Sequence, residues 1–229
     1  MRRIALPIGV IVAWSLAVAS SSTSLQGPIS IHTAGPSSHL RLRVQGSELL
    51  VEGRLSSRTS GCRLGRGGAR CNLSDAPFVL IETGSGPDKV EVLDPLPVPL
   101  TVHLGSGSDK LIGNAEPDTC YPEGTPRNRC IGGGGDDVCE SGPVNTDCLG
   151  GPGNDFCRTG AGSDGCWGGP GRDVCLMGRG EDGCHGGPGR DRLYGGPDPD
   201  QLYGGPGHDY CDGGPGVGRS HSCEAGPRH

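Results

Sequence analysis

A cysteine recurs at every ninth residue from Cys130 to Cys184. Cut into nines from Gly132, the chain reads GGGGDDVCE, SGPVNTDCL, GGPGNDFCR, TGAGSDGCW, GGPGRDVCL, MGRGEDGCH, GGPGRDRLY, GGPDPDQLY and GGPGHDYCD, then a degenerate GGPGVGRSH. Nine residues cannot enclose a core alone, so each unit must bury its apolar position against its neighbours. The period also decides how the composition is read. With 45 Gly, 20 Pro, 32% hydrophobic and 3% aromatic residues among 229, an aperiodic chain would lack the apolar surface to offset chain entropy and would stay disordered. A periodic chain can stack instead.

A second periodicity lies inside the first. The blocks starting at Gly132, Gly150 and Gly168 open with Gly-Gly and carry Val138, Phe156 and Val174 after the aspartate, while those starting at Thr159 and Met177 lack the first glycine and carry Gly165 and Gly183. The repeating unit is therefore eighteen residues: two half-turns per coil, each a glycine turn followed by a three-residue strand. Odd blocks stack in one sheet and even blocks in the other, which predicts an all-β, two-sheet β-solenoid. Looser versions occur upstream in TGSGPDKVEV (83–92) and LGSGSDKLIG (104–113), with VPLTVHL between them reading as a strand. HLRLRVQGSELLVEGRL alternates apolar and polar residues about Gln45-Gly46-Ser47, which predicts a small N-terminal β-hairpin cap.

The recurring G-G-x-G-x-D-x-U-x, with U apolar, resembles the RTX, or hemolysin-type, calcium-binding nonapeptide repeat over residues 132–212. The resemblance implies a parallel β-roll with Ca2+ between stacked turns one coil apart, held by aspartate carboxylates and turn carbonyls. Transferred block by block, it implies one row of metal ligands at Asp137, Asp155, Asp173, Asp191 and Asp209 and a second at Asp164, Asp182 and Asp200, with Asp88 and Asp109 as weaker candidates upstream. The chemistry agrees: calcium takes six to eight oxygens at about 2.3–2.6 Å, more than one turn can supply. Glycine permits the positive φ that lets turn carbonyls face a shared ion. Thr146 stands in an aspartate slot, and Asp198-Pro199 disturbs another turn, so sites touching those turns depart from the pattern. Typical members of the family are cysteine-poor and lack a cleaved leader, which sets this chain apart from toxin-like relatives.

The twelve cysteines are Cys62, Cys71, Cys120, Cys130, Cys139, Cys148, Cys157, Cys166, Cys175, Cys184, Cys211 and Cys223. Most occupy the inward U position. No C-x2-4-C pair of the structural zinc type occurs, so disulfides are expected. Pairing across the roll would join residues nine apart, and pairing along a sheet would join residues eighteen apart. Cysteine is missing twice in succession, at Leu193 and Leu202, as though a bonded pair had been replaced by a packed one. This favours Cys139–Cys148, Cys157–Cys166 and Cys175–Cys184, with Cys62–Cys71, Cys120–Cys130 and Cys211–Cys223. The usual separation of packed sheets, about 10 Å, argues for the alternative, because a disulfide wants Cα atoms less than about 7 Å apart.

Arg2 and Arg3 precede an apolar run ending in Ala17-Val18-Ala19, so residues 1–19 read as a cleaved signal peptide and the mature protein as secreted and extracellular, with no membrane span. The organisation expected is 20–80 as an N-terminal β segment or cap, 81–131 as degenerate coils and 132–229 as the calcium-binding roll. Net charge is −6, which disfavours nucleic acid and suits calcium ions as partners. No G-x-S-x-G, H-E-x-x-H or P-loop is present, so an enzyme is not expected. Position nine of the even blocks places Leu149, Trp167, His185 and Tyr203 on one outer face. Such a ladder packs on itself or serves a calcium-dependent adhesin or carbohydrate-binding module that uses Trp167 and Tyr203 to hold a glycan or another extracellular protein.

Overall fold

The computed structural model describes residues 27–124, 127–216 and 218–224; the expected signal peptide lies outside them. In the repeats each strand is three residues long, and only its middle residue points inward, because successive side chains alternate across a strand. Val138–Glu140, Phe156–Arg158, Val174–Leu176, Arg192–Tyr194 and Tyr210–Asp212 follow one another in one sheet. Gly165–Trp167, Gly183–His185, Gln201–Tyr203 and Arg219–His221 do so in the other. Register is parallel at intervals of eighteen: Cys139 pairs with Cys157, Cys157 with Cys175 and Cys175 with Leu193, while Cys148 pairs with Cys166 and Cys166 with Cys184. The protein is thus an all-β parallel roll of two sheets, one of nine strands and one of 12, with no helix among the described residues.

The coils begin earlier than the repeats. Ile29–His32 joins the first sheet beside Val79–Glu82, and His39–Gln45 joins the second beside Lys89–Val92, both parallel. The hairpin about Gly46 forms as expected, between His39–Gln45 and Glu48–Glu52. Its first strand belongs to a coil, and Glu48–Glu52, Gly68–Asn72 and Cys62–Gly65 extend the second sheet with antiparallel strands. The reason is composition: Ile29, Ile31, Leu40 and Leu42 are fully buried and fill the interior that cysteine fills later.

The core therefore changes character along the axis, from aliphatic (Val79, Ile81, Val90, Leu100, Val102, Leu104 and Leu111) to sulfur, then to Leu193 and Leu202. Where sulfur fills it the roll is thin. Cα atoms of Cys120 and Cys130 lie 6.2 Å apart across the sheets, and those of Cys139 and Cys148 6.1 Å, well below the roughly 10 Å usual between packed sheets. Each turn between strands consequently runs along one of two narrow edges, and these edges carry the aspartates.

Candidate metal centre: two ladders of buried carboxylates

Every aspartate expected in the repeat rows is buried at the end of a glycine turn, and coils are joined through one of its oxygens. Along the first edge, Oδ1 of Asp155 accepts from the backbone N–H of Asp137 at 2.8 Å. Asp173 accepts likewise from Asp155 at 2.7 Å, Asp191 from Asp173 at 2.8 Å and Asp209 from Asp191 at 2.9 Å. Along the second edge, Asp164 accepts from Thr146 at 2.7 Å, Asp182 from Asp164 at 2.8 Å and Asp200 from Asp182 at 3.1 Å. The upstream pair belongs to the second edge as well, since Asp109 Oδ1 accepts from the N–H of Asp88 at 2.8 Å. One carboxylate oxygen per residue is thus committed to holding successive coils in register.

The other oxygen is not. Oδ2 of Asp109, Asp137, Asp155, Asp173, Asp182, Asp191, Asp200 and Asp209 is buried without a hydrogen-bond partner, whereas the hydroxyls of Thr83 and Ser38 hydrogen-bond Asp88 and that of Thr159 hydrogen-bonds Asp164. A buried polar atom left unpaired costs about 1–3 kcal/mol, more if charged, so a ladder of them calls for a partner. Proton affinity records the same burden. Burial, reinforced by neighbouring carboxylates Asp118 and Asp155, pushes Asp137 up to about 8. Burial beside Asp155 and Asp191 pushes Asp173 up to about 7. Burial likewise brings Asp155, Asp182, Asp191 and Asp200 to about 6.

Glycine lets these carboxylates pack directly on the turn. A Cβ on Gly132, Gly150, Gly168 or Gly186 would stand 2.0, 2.1, 2.3 or 2.4 Å from Oδ2 of the aspartate five residues later. The second glycine of the turn has a positive φ, 118° at Gly151 and 114° at Gly169, and the carbonyl oxygens of Gly133 and Gly151 point at that glycine in the next coil, 1.9 and 2.2 Å from where its Cβ would be. Buried carboxylate oxygens packed on turn glycines, with backbone carbonyls of the same turns, are hard-oxygen donors of the kind calcium takes.

Two ladder members were not expected. Asp118 donates its N–H to Asp137 Oδ1 at 2.7 Å, and Asn128 Oδ1 accepts from Asp109 N–H at 2.9 Å. Both stand two residues before a cysteine, Cys120 and Cys130, the same D-x-C offset as in the repeats, and this was the available signal. Neither offers a free anionic oxygen. Asn128 is neutral, and the side-chain amide of Asn114 donates to both oxygens of Asp118 at 3.2 Å, so Asp118 closes the first ladder at its upstream end.

Cysteines pair as Cys62–Cys71, Cys120–Cys130, Cys139–Cys148 and Cys211–Cys223. The two further pairs expected, Cys157–Cys166 and Cys175–Cys184, are not formed, and these four residues are buried thiols. The sulfurs of Cys157, Cys166 and Cys175 lie within 4.8 Å of one another, so Cys157 and Cys175 both face Cys166 across the roll and each other along the sheet. No single partner is imposed. The aromatic ladder is self-packed: Trp167 stacks on His185 at 6.0 Å, His185 on Tyr203 at 4.6 Å and Tyr203 on His221 at 5.2 Å. Trp167 also covers Gly165, where a Cβ would meet its ring at 2.5 Å.

Compared with known protein families, residues 149–175 and 185–218 match the RTX calcium-binding nonapeptide repeat in four copies. No curated protein and no solved structure matches the chain.

Proposed function

The chain is an RTX-type repeat protein through its C-terminal coils, and on that premise we propose that it is an extracellular calcium-binding protein whose stacked turns close on Ca2+ ions and whose role is structural or interactive rather than catalytic. The observation that carries this reading is the ladder of buried carboxylate oxygens left without a partner, those of the first edge packed directly on turn glycines. Asp137, Asp155, Asp173, Asp191 and Asp209 would supply ligands along one edge. Asp164, Asp182 and Asp200, with Asp88 and Asp109, would supply them along the other. Calcium bound there neutralises carboxylates that otherwise repel one another and cross-links coils that bury little apolar area.

Export to an oxidising compartment is supported by four disulfides in a chain with an N-terminal signal-like run. In such a compartment Cys157–Cys166 and Cys175–Cys184 would close across the roll as Cys139–Cys148 does, each losing two electrons and two protons to a disulfide donor. No helix among the described residues is long and apolar enough to cross a membrane. The adhesin or carbohydrate-binding reading draws less support, since rings stacked on one another present edges rather than the faces on which a sugar packs.

Isothermal titration of calcium into the oxidised protein, with far-UV circular dichroism in parallel, tests the proposal. Several ions bound with a gain of β signal is the expected result. Absence of both heat and spectral change would refute calcium binding and leave disulfides as the roll's only staples.

A further inference from the structure

The two edges of the roll are built differently. On the first edge the residue five before each ladder aspartate is always glycine: Gly132, Gly150, Gly168, Gly186 and Gly204. At the last of these a Cβ would still come within 2.7 Å of Asp209 Oδ2. On the second edge the same slot holds Thr83 before Asp88, Leu104 before Asp109, Thr159 before Asp164 and Met177 before Asp182. Gly195, before Asp200, is the exception, and a Cβ there would lie 2.3 Å from Asp200 Oδ2. The slot therefore holds no side chain along the first edge and, Gly195 apart, a side chain along the second.

The fillers are buried and touch one another. Thr159 and Met177 are 5% and 7% exposed, the Thr159 hydroxyl lies 3.8 Å from Met177 Sδ, and Met177 Sδ lies 3.0 Å from Cys175 Sγ. A thioether or a leucine side chain is no ligand for a hard cation, and a neutral hydroxyl adds no charge. The second edge is poorer in charge as well, with Asn128 and Thr146 in its carboxylate slots.

We propose that tight calcium binding is confined to the glycine-fronted edge, between the turns ending in Asp137 and Asp209, and that Thr159 and Met177 are the residues that close the opposite edge to it. This rests on the calcium-binding reading above and narrows it, leaving Asp88, Asp109, Asp164, Asp182 and Asp200 as ligands of weak sites only. The five carboxylates of the open edge leave about four spaces between coils, each able to share one ion.

Titration calorimetry on the oxidised protein, with circular dichroism to monitor folding, separates the possibilities. The combined substitution Asp155→Asn, Asp173→Asn and Asp191→Asn touches every one of those spaces and should abolish the high-affinity heat, whereas tight binding that survives it would place ions on the other edge and overturn the proposal. Thr159→Gly with Met177→Gly acts in the opposite direction and does not depend on the first variant folding. It should add high-affinity ions to the wild-type count, and an unchanged count in a folded variant would show that these side chains do not close the edge. A wild-type protein that takes up no calcium would refute the calcium reading itself, and this inference with it.

Discussion

Aspartate in the ladder performs two tasks with two oxygens. Oδ1 ties the coil to its neighbour through a backbone N–H, and Oδ2 is left without a partner, the atom proposed to meet a cation. Replacing Asp155 by Asn keeps an acceptor for the N–H of Asp137 but removes the charge. The expected outcome is a folded protein whose calcium titration shows at least about a tenfold loss of affinity at the adjoining sites. Gly150→Ala probes the cradle, since its Cβ would stand 2.1 Å from Asp155 Oδ2. It should weaken calcium binding and lower the calcium-induced rise in Tm with every carboxylate still present. Acidity gives an independent readout. In the ion-free protein Asp137, Asp155, Asp173, Asp182, Asp191 and Asp200 hold their protons more tightly folded, at about 6 to 8, than unfolded, at about 3.9. Their contribution to stability is then complete below about pH 4 and is lost as pH rises through 6 to 8. Thermal melts in chelator should show Tm falling across that window, and calcium should cancel the fall by pairing the ionised form.

At the scale of one half-turn, a glycine turn and three residues of strand contribute a single inward side chain, so the interior is set by what occupies U. Cysteine there brings the sheets to about 6 Å and permits bonds across the roll. Intact-mass measurement after alkylation without reduction should find no free thiol in protein from an oxidising compartment, and two modified pairs among Cys157, Cys166, Cys175 and Cys184 would instead mean that the thiol cluster persists. Removing one crossing bond by Cys120→Ala with Cys130→Ala should cost about 2–3 kcal/mol in denaturant unfolding, the loop-closure contribution of a short ring. Spacing made the strand register legible in advance, because eighteen residues returns every inward position to the same sheet. It left sulfur pairing open, because a stack of equivalent thiols offers neighbours both nine and eighteen residues away.

Across the whole molecule, stabilisation changes from apolar burial at the N-terminal end to disulfides and carboxylate ladders toward the C-terminal end. Burying one Leu or Ile side chain is worth about 1.5–3 kcal/mol, and the first coils hold Ile29, Ile31, Leu40, Leu42, Ile81 and Leu100 at 0% exposure. Among the later coils only Leu193 and Leu202 are leucines or isoleucines buried as completely. Chelation should therefore remove amide-exchange protection from residues 132–212 while sparing the strands at 29–32, 39–45 and 79–82; uniform loss along the chain would contradict this gradient. The disulfides should preserve part of the β signal in chelator until a reductant is added.

Much of this molecule follows from period and residue type. Eighteen-residue alternation specifies two parallel sheets, and aspartate at fixed offset from U specifies two edge ladders, because a repeating chain can satisfy its backbone only by stacking like on like. Tertiary structure decided what period cannot encode. It drew Ile29–His32 and His39–Gln45 into the roll as its first coil, since their aliphatic side chains needed the same interior. It recruited Asp118 and Asn128 to the ladders from outside the regular blocks. It also left one oxygen of most repeat aspartates unpaired while Asn114 satisfied Asp118, an outcome that depends on which donors reach a buried atom in three dimensions and not on the order of residues along the chain.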